Sequence, residues 1–250
     1  MNRKFAVTDR KHLVAPAAVP IPRCLRIIGA VVFLATVPAM AQNGGLQEKF
    51  ATVKQAAAEN NQRLHQYQWI ETTQLTLKGD PKPPSQNLCE YGPDGQVQKT
   101  PISPPPEQPS GGRLKQRVIA EKKAEMKDYM GDVKGLLSLY VPPNPQKMQQ
   151  AYEAGKVSLN PAGAIMNVIF RDYAQPGDQM TLAFDTAAKK IISFNISTYM
   201  GESKDIVTLQ AQMASLSDST NYVQQTILNA SAKQLVATTT NANYQRLGGN

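Results

Sequence analysis

The stretch Ile192-Ser193-Phe194-Asn195-Ile196-Ser197-Thr198-Tyr199-Met200 decides the fold. Its even positions are mostly apolar, and Ser193, Asn195, Ser197 and Tyr199 stand between them. A strand sends successive side chains to opposite faces, so this pattern makes one dry face and one wet face. The next run repeats it, with Val207, Leu209, Ala211 and Met213 alternating with Thr208, Gln210 and Gln212. Tyr222 to Leu228 and Leu235 to Tyr244 alternate less cleanly. They are rich in Thr, Val, Tyr and Ile, which suit a pleated surface.

The breaks between these runs carry turn chemistry. They are Gln175-Pro176-Gly177-Asp178, Thr186 to Lys190, Gly201 to Asp205, Ser217 to Asn221 and Asn229 to Lys233. Pro presets φ, Gly tolerates positive φ, and Asp, Asn and Ser bond their own backbone. Links this short favour antiparallel neighbours, because a parallel crossover needs a dozen residues or more. One-sided alternation fits an antiparallel sheet with one face covered. Ile165 to Tyr173 reads as the first strand of this C-terminal block.

Working outward, the start of the chain predicts export. Arg23 and Arg26 precede the apolar run Ile27 to Val37, and Ala39-Met40-Ala41 follows as a small-x-small cleavage site. Residues 1–41 are thus expected to be a signal peptide, and 42–250 a single β-rich domain, secreted or periplasmic. The apolar run is shorter than the ~20 residues of a membrane span, so no stable transmembrane segment is expected after cleavage. The full chain carries 27 basic and 19 acidic side chains, net +8. Six of the basic and one of the acidic residues lie in 1–41, which leaves 21 and 18, net +3. That balance gives little support to nucleic-acid binding, which needs a concentrated basic footprint. The leader also removes Cys24 and His12, leaving Cys89 and His65. No internal disulfide is then available, and Cys89 reads as a small buried hydrophobe.

Leu46 to Leu64 carries apolar residues at helical spacing and the alanines Ala56, Ala57 and Ala58, which predicts a helix. Tyr67 to Lys78 switches to period two. Tyr67, Trp69, Leu75 and Leu77 share a face interrupted by Glu71 and Thr73. Gln86 to Tyr91 and Gln96 to Ile102 predict a hairpin around Gly92-Pro93-Asp94-Gly95, a type I turn with a bulge. The Pro-rich tract 101–112 reads as a stiff linker. A helical insertion over 113–155 follows. Its main helix, Leu114 to Tyr140, places Ile119, Met126, Met130, Val133, Leu137 and Tyr140 on one stripe, with Lys and Glu on the remainder. Such a helix lies on an apolar surface, here the dry face of the sheet. Its mixed charges argue against a membrane-surface helix, which favours Lys and Arg. Gly131 and Gly135 are expected to weaken or bend it. Asn144 caps a short further helix with Pro145 at its first position and Gly155 after its end. Asn160-Pro161 is expected to open one more helical turn. The resulting fold class is α+β: a curved antiparallel sheet with an N-terminal helix and an inserted amphipathic helical lid.

The sequence holds no Gly-x-Ser-x-Gly elbow, no Ser-x-x-Lys and no phosphate loop. One Cys and one His exclude a Cys/His zinc site within one mature chain, and no cofactor or metal is expected. Glu71, Glu90, Asp172, Asp178 and Asp185 remain as candidates for an acid pair, the one route left to a hydrolase.

Four stretches, Tyr67-Gln68-Trp69-Ile70-Glu71-Thr72-Thr73, Tyr91-Gly92-Pro93-Asp94-Gly95, Asp128-Tyr129-Met130 and Asn243-Tyr244-Gln245, resemble a group of secreted bacterial proteins of unknown function. That resemblance implies no activity. The order helix, strands, inserted helices, strands is similar to the periplasmic lipoprotein-carrier family (LolA/LppX-like). In that family a half-barrel holds acyl chains under a helical lid. This likeness is architectural and carries no functional residue over. It implies a lipid or other apolar small molecule as partner, held between sheet and helices. Trp69, Met126, Met130 and Phe194 are the candidate lining, and the same residues equally suit a solid core. The alternative is a cell-envelope structural or interaction module without a small ligand. Its wet face, heavy in Thr, Gln and Asn, would then meet an envelope protein or a glycan.

Overall fold

A computed structural model describes Gln55, residues 58–104 and residues 112–248. The expected signal peptide, the first part of the predicted Leu46–Leu64 helix and most of the Pro-rich tract lie outside the described residues. The described part of that helix, 58–64, is α1. The strands are β1 (Tyr67–Leu77), β2 (Asp80–Pro81), β3 (Ser85–Tyr91), β4 (Val97–Pro101), β5 (Val157–Ala162), β6 (Ile165–Arg171), β7 (Gln179–Asp185), β8 (Lys190–Tyr199), β9 (Ile206–Ser215), β10 (Asn221–Ala230) and β11 (Leu235–Arg246). Between β4 and β5 lie α2 (Arg113–Leu137) and α3 (Pro145–Glu153).

All pairings are antiparallel, in the order β4-β3-β1-β11-β10-β9-β8-β7-β6-β5, with β2 beside β1. The sheet is curved and stays open. Consecutive strands from β5 to β11 pair as hairpins because their links are too short for anything else. The C-terminal strand then docks beside β1, which joins the two ends of the described chain at the middle of the sheet. Both outer strands carry proline, Pro101 on β4 and Pro161 on β5. A residue without an N–H belongs at an edge and blunts it against further pairing.

That placement corrects two expectations. Asn160-Pro161 opens no helical turn; it lies inside β5, whose single partner is β6. Pro161 is tolerated there because an edge strand leaves half its amides unpaired anyway. The first strand of the C-terminal block is therefore β5, and Ile165 begins the second.

The turns and caps follow their chemistry. Gly95 has φ +74° and its N–H donates to Gly92 O at 2.9 Å, the expected turn with a bulge. Asn144 Oδ1 accepts from the amides of Gln146 (2.9 Å) and Lys147 (3.2 Å), and Pro145 follows at the first helical position. The long helix α2 runs unbroken through Gly131 and Gly135. Its start at Gly112 has no side-chain cap and no acidic residue in the first turn.

The register fixes which residues share the dry face. One transverse row runs Leu75, Ala237, Leu228, Leu209, Ile196, Met180, Phe170, Val157. Toward the chain ends of these hairpins it is followed by Leu77, Leu235, Ala230, Val207 and Thr198. On the other side lies the row Thr73, Thr239, Thr226, Ala211, Phe194, Leu182, Val168, Leu159. The even residues of β8 and the odd residues of β9 thus face the same way, as their alternation demands.

Candidate functional site

The helical insertion covers part of the dry face, and the covering begins at its middle. Tyr129 and Val133 of α2 are buried against Val207, Leu228, Ala230, Leu235 and Ala237. Met126, Met130, Leu136 and Leu137 pack around them half-buried. An ion pair ties the helix down: Lys233 Nζ meets the Glu125 carboxylate and sits 5.7 Å from the Tyr129 ring centroid. Past the end of α2, Tyr140 is fully buried with Phe170, Tyr173, Met180, Leu182, Ile196 and Ala151. Leu136, Leu137 and Leu209 belong to both groups, so the two cores are continuous.

Beside this covered region the next row is only partly enclosed. Ala211 and Leu182 in it are buried, Thr73, Thr239, Thr226, Phe194 and Val168 are half-buried, and Leu159 at the edge is exposed. The row is apolar on β6 to β9 and hydroxylated on β1, β11 and β10. Thr73 Oγ1 and Thr239 Oγ1 are hydrogen-bonded across the strands at 3.1 Å. Next to Thr73, the Glu71 carboxylate takes Lys99 Nζ at 2.6 and 2.7 Å. The dry face therefore carries a strip with a greasy end and a polar, charged end.

Beyond the strip stands an aromatic cluster. Trp69 stacks on Tyr244 at 5.4 Å and 11°, and tilts against Tyr91 at 5.5 Å. Tyr222 lies 4.3 Å from Tyr244, and His65 stacks on Tyr91 at 4.1 Å. The indole Nε1–H donates to Asn241 Oδ1 at 3.1 Å, and Asn241 Nδ2 donates to Val223 O at 2.9 Å. A bulge makes the stacking possible. Gln68 pairs Gln245 and Ile70 pairs Ala242, so two β11 residues oppose Trp69. Asn243 absorbs the extra length at φ +56°, a conformation Asn tolerates, and Tyr244 is brought over the indole. Burial pushes the Tyr244 hydroxyl well above its ordinary pKa, with Tyr91 and Tyr222 adding to it. Cys89, opposite Trp69 on β3, has no exposed surface, and burial raises its thiol.

Of the carboxylates singled out above, Asp172, Asp178 and Asp185 serve the backbone. Asp178 is 2% exposed and accepts from Tyr140 Oη (2.5 Å) and the amides of Tyr173 (2.5 Å), Ala174 (2.9 Å) and Gln175 (2.8 Å). Asp172 accepts from Gly177 N and pairs with Lys156 at 3.4 Å, which together hold its carboxyl below the usual range. Asp185 caps the turn through Ala187 and Ala188. Glu90 is exposed on β3. Asp172 and Asp178 share one loop, but backbone amides occupy both. Among the described residues no group of His, Cys, Asp and Glu is placed to hold a metal ion.

The four residues proposed as a lining do not form one contact group. Met126 and Met130 pack on the first core, Phe194 on the second, and Trp69 stands in the aromatic cluster. All lie over or on the dry face, with Phe194 in the half-covered row and Trp69 beyond that row's polar end. Tyr91, Tyr222, Tyr244 and His65 escaped the periodicity argument. Three of the stretches quoted for the family resemblance, around Trp69, Tyr91 and Tyr244, do converge here. A shallow open depression of about 460 Å3 near Ile206, Thr208, Asn229 and Val236 is lined by none of these residues. Among the described residues no helix is long and apolar enough to cross a membrane, which says nothing of strands.

No family model and no curated protein matches the chain. Among solved structures, a DUF1329 family protein from Desulfovibrio piger matches at TM-score 0.38 and 6% identity, over 82% of this chain and 94% of that one. An outer membrane lipoprotein-sorting protein domain from Vibrio parahaemolyticus matches at TM-score 0.36 and 10% identity, over 81% and 94%. Neither likeness transfers a residue or a ligand.

Proposed function

We propose that this chain is an exported binding protein that holds an apolar or lipid-like molecule between α2 and the dry face of the sheet. One observation supports the reading above others. In the row through Phe194 and Val168, Ala211 and Leu182 are buried, but Phe194 and Val168 stay half-buried and Leu159 is exposed, although all three are as greasy as the residues under the helix. Apolar side chains left partly open beside a core suit the lining of a ligand groove. Met126 and Met130 at the margin supply side chains that can repack around a guest. The Glu71–Lys99 pair at the far end would meet a polar head. Native mass spectrometry of the protein purified from its own cells tests this. A co-purifying lipid, or saturable uptake of a fluorescent fatty acid, supports the proposal. Absence of both defeats it.

A further inference from the structure

The first three turns of α2 have a different character from the rest of the helix. Leu114 is 83% exposed and Val118 49% exposed, one turn apart on the same side. Every buried residue of α2 lies further on, from Tyr129. A 25-residue helix is about 37 Å long, and its first turns carry two aliphatic side chains, Leu114 and Val118, that the described part of the fold leaves exposed.

Charge says what would cover them. Residues 113–123 contain Arg113, Lys115, Arg117, Lys122 and Lys123 against a single acid, Glu121, net +4. Glu121 is taken by Arg117 at 3.2 Å. The next acid along, Glu125, is held by Lys233. Arg113, Lys115, Lys122 and Lys123 have no ion-pair partner among the described residues. The mixed charge that argues against a membrane helix belongs to the whole of α2. Both acids are paired, so the beginning of the helix presents two exposed aliphatics among four cations without ion-pair partners, a combination that suits an anionic bilayer.

We infer that the start of α2 is a docking surface for an anionic lipid bilayer. Leu114 and Val118 enter the headgroup boundary, and the four unpaired cations meet lipid phosphates. This does not depend on the ligand reading above, since a protein with a solid core could dock in the same way.

The test compares wild-type protein with two variants by co-sedimentation with vesicles. One vesicle set is phosphatidylcholine alone, and the other adds roughly one third phosphatidylglycerol, enough to give a strongly negative surface. The charge variant is R113Q/K115Q/K122Q/K123Q and the apolar variant is L114S/V118S. Each cation near an anionic surface contributes about fivefold to binding at low salt. The charge variant should therefore bind anionic vesicles at least tenfold more weakly than wild type, and the two should converge on neutral vesicles or in about 1 M salt. The apolar variant should also lose several-fold on anionic vesicles. All six positions are half-buried or more exposed, so circular dichroism and thermal midpoint should not move. Binding that is equal in wild type and in either variant overturns the proposal. So does a wild-type chain that ignores anionic vesicles and instead self-associates through this helix, with Leu114→Ser abolishing the dimer.

Discussion

Replacing Asp178 by Asn tests how the helical insertion is fastened to the sheet. Asp178 sits just before β7 and joins Tyr140, past the end of α2, to the loop 173–175. Tyr140 Oη is also hydrogen-bonded to Thr198 Oγ1 of β8 at 2.8 Å, so the carboxylate and this hydroxyl together tie three segments. Asn keeps the shape and the oxygen that accepts from Tyr173 N. Its amide nitrogen then faces the N–H groups of Ala174 and Gln175, which lose their acceptor. A buried donor left without a partner costs about 1–3 kcal/mol. Gln175 is only half-buried and water can reach part of the loop, so the lower half of that range applies to each. The expected loss is about 2–4 kcal/mol in urea unfolding. Tyr140→Phe removes a single donor and should cost about 1–2 kcal/mol. The two changes share the Asp178–Tyr140 contact, so the double variant should deviate from additivity by about 0.5 kcal/mol or more. A loss below about 0.5 kcal/mol for Asp178→Asn, the range of ordinary surface changes, refutes the idea that this carboxylate holds the insertion in place.

Other outcomes follow from the same packing. Val133→Ala should destabilise by about 2 kcal/mol, since roughly two buried methylene equivalents at ~0.8 kcal/mol each and a small cavity are involved; urea midpoints read this directly. Cys89 should resist a thiol reagent such as Ellman's until the chain unfolds, because its sulfur has no exposed surface and its thiolate is disfavoured; rapid labelling of the native protein would contradict the packing at Trp69. Stability should fall on the alkaline side above about pH 10, the ordinary tyrosine value. Tyr140 and Tyr244 keep their protons longer in the folded chain than in the unfolded one, so the unfolded state gains as pH rises through that window. On the acid side, Asp172 and Asp218 are held low by the amides of Gly177 and Thr220. Their contribution is present above about pH 4 and is lost as pH falls below it, which thermal melts across a pH series would show.

Strand existence was readable because alternation is a local signal. Ile192 to Met200 and Val207 to Met213 declare their faces residue by residue, and the observed register keeps them there. The hairpin at Gly92–Gly95 and the cap at Asn144 were readable for the same reason. Asn160-Pro161 was misread because a proline that starts a helix and one that ends a sheet edge look alike in sequence. The difference lies in which neighbours the strand has. The aromatic cluster was not legible as a unit. It depends on β11 docking beside β1 across more than 160 residues and on an extra residue at Asn243, and neither leaves a periodic trace. The split of α2 into a covered and an uncovered half was hidden too. The apolar stripe read from the sequence begins at Ile119, and Leu114 and Val118 lie to one side of it, so periodicity alone does not mark them as uncovered.

The chain has a single tryptophan, Trp69, which stands beyond the polar end of the half-covered strip that holds Phe194. Titrating a brominated fatty acid while following its fluorescence tests the proposed site most directly. The account predicts saturable quenching at one equivalent, displaced by the unbrominated acid and weakened at least tenfold by Phe194→Glu. Fluorescence that does not change, or that falls equally in the Phe194→Glu protein, would contradict it.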